Sequence, residues 1–217
     1  MTIRAVLFDL DGTLVDSLDD LTDAVNHMLA GFGKDQLTKT GVRTLVGKGA
    51  RNLVQRALDT ESPADIERGL GLFTEFNTIH IADKSMLYPG VREMLENLAV
   101  RGIRMAIISN KGAALSTLIL ETLGIDAFFQ VICGGDTFPE MKPSPLPLMR
   151  VIDGLGINSS ETLMVGDSIN DIQAGKQAGI ATIGCTWGYS GPDELKDADH
   201  LAACCNEVAA IVLRQGI

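Results

Sequence analysis

Phe8-Asp9-Leu10-Asp11-Gly12-Thr13 closes an apolar, β-branched segment, Ile3 to Phe8, that has the pattern of a buried strand. The strand stops at two carboxylates two residues apart. Strand alternation puts both on one side if the extended conformation continues. Gly12 permits a sharp turn, and Thr13 is expected to hydrogen-bond locally. Two converging carboxylates repel unless a cation or a proton lies between them. The run therefore suits chemistry or metal binding, and a solvated Asp-Leu-Asp-Gly turn is the plain alternative.

Outward from this run, strand-like and helix-like segments alternate from about Leu87 onward. Arg104 to Ile108 is strand-like and stops at Ser109-Asn110. Leu115 to Leu123 has helical spacing and ends at Gly124. Val131 to Cys133 is a short strand, and Pro145 to Leu155 a helix with proline in its first turn. Thr162 to Val165 is a strand that stops at Gly166-Asp167. Ser168 to Ala178 is a helix closed by Gly179, and Ala181 to Cys185 is a further strand. This order predicts an α/β fold, a doubly wound parallel sheet of Rossmann-like form. Ligands of such sheets bind beyond the carboxyl ends of the strands. Asp9, Ser109 and Asp167 each stand at such an end.

Val15 to about Ser85 differs. Ser17-Leu18-Asp19-Asp20 has the form of a capping box with Asp in place of Glu. Leu18, Leu21, Val25, Met28 and Leu29 follow helical spacing. Asn52 to Leu58 and Ile66 to Ile79 also have helical patterns, and no strand pattern is present. The segment is expected to be a helical insertion with hinges near Val15 and Ser85.

The chain has 217 residues, 46% of them apolar, which suffices for one large domain or a core with a smaller insert. A net charge of −10 argues against nucleic acid and anionic membranes as partners. It leaves small anionic substrates open, because a metal and a few cations reverse the local potential. No apolar run has the length of a membrane span, and the N-terminal apolar stretch is too short for a secretory signal. A cytoplasmic protein is expected, with Cys133, Cys185, Cys204 and Cys205 as reduced thiols. They form no C-x-x-C pair, so no zinc site is expected. Gly41, Gly47 and Lys48 do not make a P-loop: the spacing is one residue too long and Gly49 stands where Ser or Thr is needed.

Four features occur in order: Asp9-Leu10-Asp11-Gly12-Thr13, Ser109-Asn110 after a strand, Lys142 in Met141-Lys142-Pro143-Ser144-Pro145, and Gly166-Asp167-Ser168-Ile169-Asn170-Asp171 after a strand. The ordered set spans nearly the whole chain and resembles the haloacid dehalogenase superfamily of phosphohydrolases. The resemblance implies a core of residues 1–14 and 86–217 with a helical cap of 15–85. It implies Asp9 as the nucleophile that forms an aspartyl-phosphate and Asp11 as the general acid and base. It implies Mg²⁺ held by the Asp9 carboxylate, the Asp11 main-chain carbonyl and the Asp167 carboxylate. Lys142 would neutralise nucleophile and phosphate. Ser109 would donate a hydroxyl hydrogen bond to phosphate, and Asn110 another from its side chain or main chain. Asp171 would support either the metal or Lys142.

The second aspartate favours phosphate esters over dehalogenation. The insertion, Val46-Gly47-Lys48-Gly49-Ala50 within it, and Asp171 to Gly179 resemble the phosphoglycolate phosphatase group, so 2-phosphoglycolate or another small phosphorylated metabolite is the expected substrate. A phosphosugar mutase of the β-phosphoglucomutase type is the enzymatic alternative, and a non-catalytic binding protein on the same fold is a third. Gly47-Lys48-Gly49, with Arg51 nearby, is expected to close over the core and read the substrate beyond its phosphate, because glycines admit close main-chain approach and the two cations suit a carboxylate.

Overall fold

The computed structural model describes residues 2–214. β1 (Ala5–Phe8) is followed by β2 (Val15–Asp16), then α1 (Leu18–Gly31), α2 (Lys39–Arg43), α3 (Gly49–Leu58) and α4 (Pro63–Ile79). β3 (Met86–Leu87) brings the chain back. Then come α5 (Val91–Val100), β4 (Arg104–Ile108), α6 (Ala113–Thr122), β5 (Val131–Cys133), α7 (Leu146–Leu155) and β6 (Thr162–Gly166). The chain finishes with α8 (Ile169–Gln177), β7 (Ala181–Cys185), α9 (Pro192–Leu195), β8 (His200–Ala202) and α10 (Cys205–Arg214).

Six strands form one parallel sheet in the order β5-β4-β1-β6-β7-β8. β1 lies inside it because Ala5-Val6-Leu7-Phe8 is apolar on both faces, as a strand covered on both sides requires. Val6 and Phe8 face one apolar cluster with Leu95, Leu98 and Val208 of α5 and α10. Ala5 and Leu7 face a second, with Leu148 and Ile152 of α7. From β1 the chain fills one side with β4 and β5, then crosses to β6 on the other. The order thus reverses beside β1, and the crevice there is where sheets of this type hold ligands. Phe8 is level with Ile107 of β4 and Val165 of β6, so Asp9, Ser109 and Asp167 emerge on one rim.

The four helices between the crossings bury their own cluster, including Leu21, Val25, Met28, Leu53, Val54 and Phe73. α3 begins at Gly49, three residues before the expected start, and α2 had no periodic signal.

The crossings near Val15 and Ser85 lie side by side: β2 and β3 pair antiparallel, Val15 with Leu87 and Asp16 with Met86. One local expectation is corrected: the capping box is absent. Ser17 precedes α1 without a side-chain cap bond. Its hydroxyl donates to Asp11 Oδ1 at 2.5 Å. Asp20, buried, instead accepts from the main-chain N–H groups of Lys84 and Ser85 and from the Ser85 hydroxyl. All four cysteines are free, and Cys204 is exposed. Among the described residues no helix is long and apolar enough to cross a membrane.

Candidate active site

The end of β1 turns Asp9 toward Lys142. Lys142 Nζ lies 2.9 Å from Asp9 Oδ1 and donates to Asp171 Oδ1 at 2.6 Å. Burial alone would strip the proton from this lysine, but Asp171 and Asp9 outweigh it and hold the ammonium charged. Asp171 stands in the first turn of α8, where it also accepts from Ser168 N at 3.0 Å and Ser168 Oγ at 2.7 Å. Gly166 is obligatory beneath it, since a Cβ there would sit 2.2 Å from Asp171 Cγ.

Asp167 is buried beside this pair. It accepts from Thr13 Oγ1 at 3.1 Å and from Tyr189 N at 2.6 Å. The Thr13 hydroxyl thus bonds across 154 residues, while its main-chain N–H donates locally to Leu10 O at 3.3 Å. Gly188 lets the loop before Tyr189 press on the carboxylate; a Cβ there would lie 2.3 Å from Asp167 Cβ.

Asp9, Asp167 and Asp171 each present an oxygen within 4.8 Å of the others. Burial, with Asp9 and Asp171 adding to it, pushes Asp167 up to about 8. Burial also raises Asp9, against the pull of Lys142. One ammonium does not compensate three clustered carboxylates, so the group calls for a proton or a further cation. An all-oxygen donor set fits a hard divalent ion such as Mg²⁺.

Asp11 is held separately. Its Oδ1 accepts from Ser17 Oγ, and both its oxygens lie near Lys111 Nζ, at 3.3 and 3.4 Å. The two carboxylates of the opening motif thus face different lysines. The Lys111 side chain is only 7% exposed.

The remaining expected residues divide. Ser109 is buried at the rim, and its Oγ accepts from Lys111 N at 3.2 Å. The Asn110 amide donates to Gly47 O at 2.9 Å and Lys142 O at 2.8 Å, so only its main-chain N–H is left to offer an anion. Gly47 faces the core through its carbonyl, which accepts from Asn170 as well, at 3.1 Å. Lys48 is exposed. Arg51 turns outward, with its guanidinium on Glu67 Oε1 of α4 at 2.5 and 2.7 Å. The structure does not bring Lys48 or Arg51 to the site: neither lines the cavity between the sheet rim and the helical segment. That cavity has Asp9, Asp11, Lys111 and Lys142 on its floor, with Leu21, Leu53 and Phe73 among its apolar walls.

Lys111, Ser17, Asn170 and Tyr189 were not read as site residues from the sequence. For Lys111 a signal existed, since it directly follows Ser109-Asn110 at a strand end.

Over residues 6–185 the chain matches the family described as haloacid dehalogenase-like hydrolase. The chain belongs to this family. It is 42% identical over 193 residues to the phosphoglycolate phosphatase of Chromobacterium violaceum, covering 87% of each chain. It is 40% identical over 231 residues to phosphoglycolate phosphatase 1 of Pseudomonas aeruginosa, covering 97% of this chain and 82% of that one. Among solved structures of the haloacid dehalogenase-like type, it superposes with a TM-score of 0.92 on one described as a predicted phosphoglycolate phosphatase from Haemophilus somnus 129pt, at 33% identity, covering 97% of this chain and 98% of that one. With CbbY from Rhodobacter sphaeroides in complex with phosphate the TM-score is 0.86 at 25% identity, covering 98% and 100%.

Proposed function

We propose that this enzyme is a Mg²⁺-dependent phosphatase of the cytoplasm that hydrolyses a small phosphate monoester, 2-phosphoglycolate, through an aspartyl-phosphate. The observation that carries this is the separation of the two carboxylates. Asp9 is held by Lys142 at the end of β1, while Asp11 is held apart from it by Lys111 and Ser17. Two carboxylates kept on different partners can take the separate roles of nucleophile and acid that a two-step phosphoryl transfer needs.

In the first step an Asp9 carboxylate oxygen bonds to phosphorus, and the bond from phosphorus to the ester oxygen breaks. Asp11, entering as the acid, gives its proton to the departing alkoxide. In the second step Asp11 takes a proton from water, whose oxygen attacks the phosphoryl group. Inorganic phosphate leaves and Asp9 is restored. Lys142 offsets the charge of nucleophile and phosphate throughout. The Ser109 hydroxyl and the Asn110 main-chain N–H donate to the phosphoryl oxygens. Bound Mg²⁺, held by Asp9, Asp167 and the Asp11 carbonyl, would supply charge neutralisation at the phosphoryl group. Asp171 then serves chiefly to hold Lys142. Residues 15–85 act as the cap whose apolar wall keeps bulk water from the intermediate.

The test is phosphate release from a panel of small phosphoesters, with and without chelator. Asp9→Asn is expected to lower kcat by at least about 10³-fold while melting like the parent. Activity of the variant within tenfold, with deamidation excluded by mass, would refute the assignment.

A further inference from the structure

We propose that Lys111 is the residue that reads the substrate beyond its phosphate, its ammonium binding the carboxylate of the two-carbon acid. This rests on 2-phosphoglycolate being the substrate. The sequence suggested cap cations for that task, but Arg51 is engaged by Glu67 and Lys48 is exposed. Arg43 is spent on the carbonyls of Tyr189 and Gly188. Two cationic side chains line the cavity, Lys142 and Lys111. Lys142 already serves two carboxylates, Asp171 and Asp9, at 2.6 and 2.9 Å. Lys111 meets Asp11 only at 3.3 and 3.4 Å. An ammonium has three N–H donors, and two long contacts do not saturate it.

Position favours the same residue. Asp11 must touch the ester oxygen it protonates, so Lys111 Nζ lies at most about 6 Å from that oxygen, the sum of its contact to Asp11 and one further hydrogen bond. In 2-phosphoglycolate a single methylene separates the ester oxygen from the carboxylate, whose oxygens lie roughly 2.5–3.5 Å away. A carboxylate directed at Lys111 from the reacting position therefore falls within charge-assisted hydrogen-bond range. Leu21, Leu53 and Phe73 close the same space with hydrocarbon, which strengthens an ion pair that bulk water would screen. Recognition sits on the sheet rim, one residue from the phosphate-binding Ser109-Asn110, and is rigidly registered to the reacting centre.

The test compares 2-phosphoglycolate with ethyl phosphate, in which a methyl group replaces the carboxylate, on the wild type, Lys111→Met, Lys111→Gln and Lys111→Arg. Wild type is expected to prefer the acid. Lys111→Met is expected to lose at least about tenfold more in kcat/KM on 2-phosphoglycolate than on ethyl phosphate, over and above any loss common to both substrates from releasing Asp11. Lys111→Arg should recover part of the loss on the acid only. Equal losses on both substrates would assign Lys111 to Asp11 alone and overturn the proposal, as would an unchanged preference in the variants. A wild type that does not prefer the acid would instead refute the substrate assignment, and the role of Lys111 with it. If Lys111→Met fails to fold, by circular dichroism, Lys111→Gln and Lys111→Arg carry the comparison with the same criteria.

Discussion

Asp167 is enclosed by unusually close neighbours: Gly188 and Gly12 stand where side chains would collide with it, and Thr13 and Tyr189 donate to it. Such packing aims a carboxylate but does not discharge it. Its folded value of about 8 compares with ~3.9 in an unfolded chain. Between those values the unfolded chain has released a proton that the folded chain retains. The contribution of Asp167 to the stability of the cation-free protein is therefore fully present below ~4 and is lost as pH rises to ~8. Mg²⁺ competes with the retained proton, so the gain in Tm from saturating Mg²⁺ should be larger at about pH 8 than at about pH 5. Scanning calorimetry at both values measures this. Asp167→Asn should remove most of the Mg²⁺ response, and an equal gain at both pH values would show that the proton and the cation do not share the site.

At the level of elements, the first turn of α1 illustrates how a local pattern yields to a distant partner. Ser17 and Asp20 match a capping box in sequence, yet Ser17 donates to Asp11 and Asp20 gathers three donors from Lys84 and Ser85. Asp20→Ala would leave buried N–H and hydroxyl groups unpaired, at a cost of about 2–4 kcal/mol. The shift in urea midpoint should report that loss, and Asp20→Asn, which keeps one acceptor oxygen, should lose less. A loss below about 0.5 kcal/mol for Asp20→Ala would show that water replaces the carboxylate there. The long strands were legible because burial on both faces demands apolar, β-branched runs. β2 and β3 were not, because two residues each carry no period. That Asp9, Ser109 and Asp167 share one rim followed from their positions at strand ends, whereas Lys142 and the role of Asp11 came from the resemblance carried by the ordered motifs. Lys111 directly follows Ser109-Asn110 at a strand end, and only the fold shows that it faces the cavity and not solvent. The engagement of Arg51 by Glu67 was not legible for the converse reason: Glu67 lies one helix away and only packing brings the two together.

Across the whole molecule, the helical segment grips the sheet at two points only a few residues apart. Gly47 O is held by Asn110 and Asn170, and Arg43 holds the carbonyls of Gly188 and Tyr189. The second grip lies on the loop whose Tyr189 N–H donates to Asp167 and whose phenol meets Asp16 and Ser17. The proposed cap and the Asp167 carboxylate of the candidate cation site are thus joined through one loop. Arg43→Ala should lower kcat/KM by about tenfold, the equivalent of one charge-assisted hydrogen bond, mainly through KM. Steady-state kinetics decides this; an unchanged KM would mean that the cap seats equally well without the contact.

The pairing of β2 with β3 reaches further than its two residue pairs suggest. It brings the departure and the return of the helical excursion to adjacent positions, about 4.8 Å apart as neighbouring strands are. A chain of almost any length could leave and re-enter there without disturbing the sheet. The helical segment over the proposed site could on this ground lengthen, shrink or be exchanged like a cassette while Asp9 beneath it keeps its place.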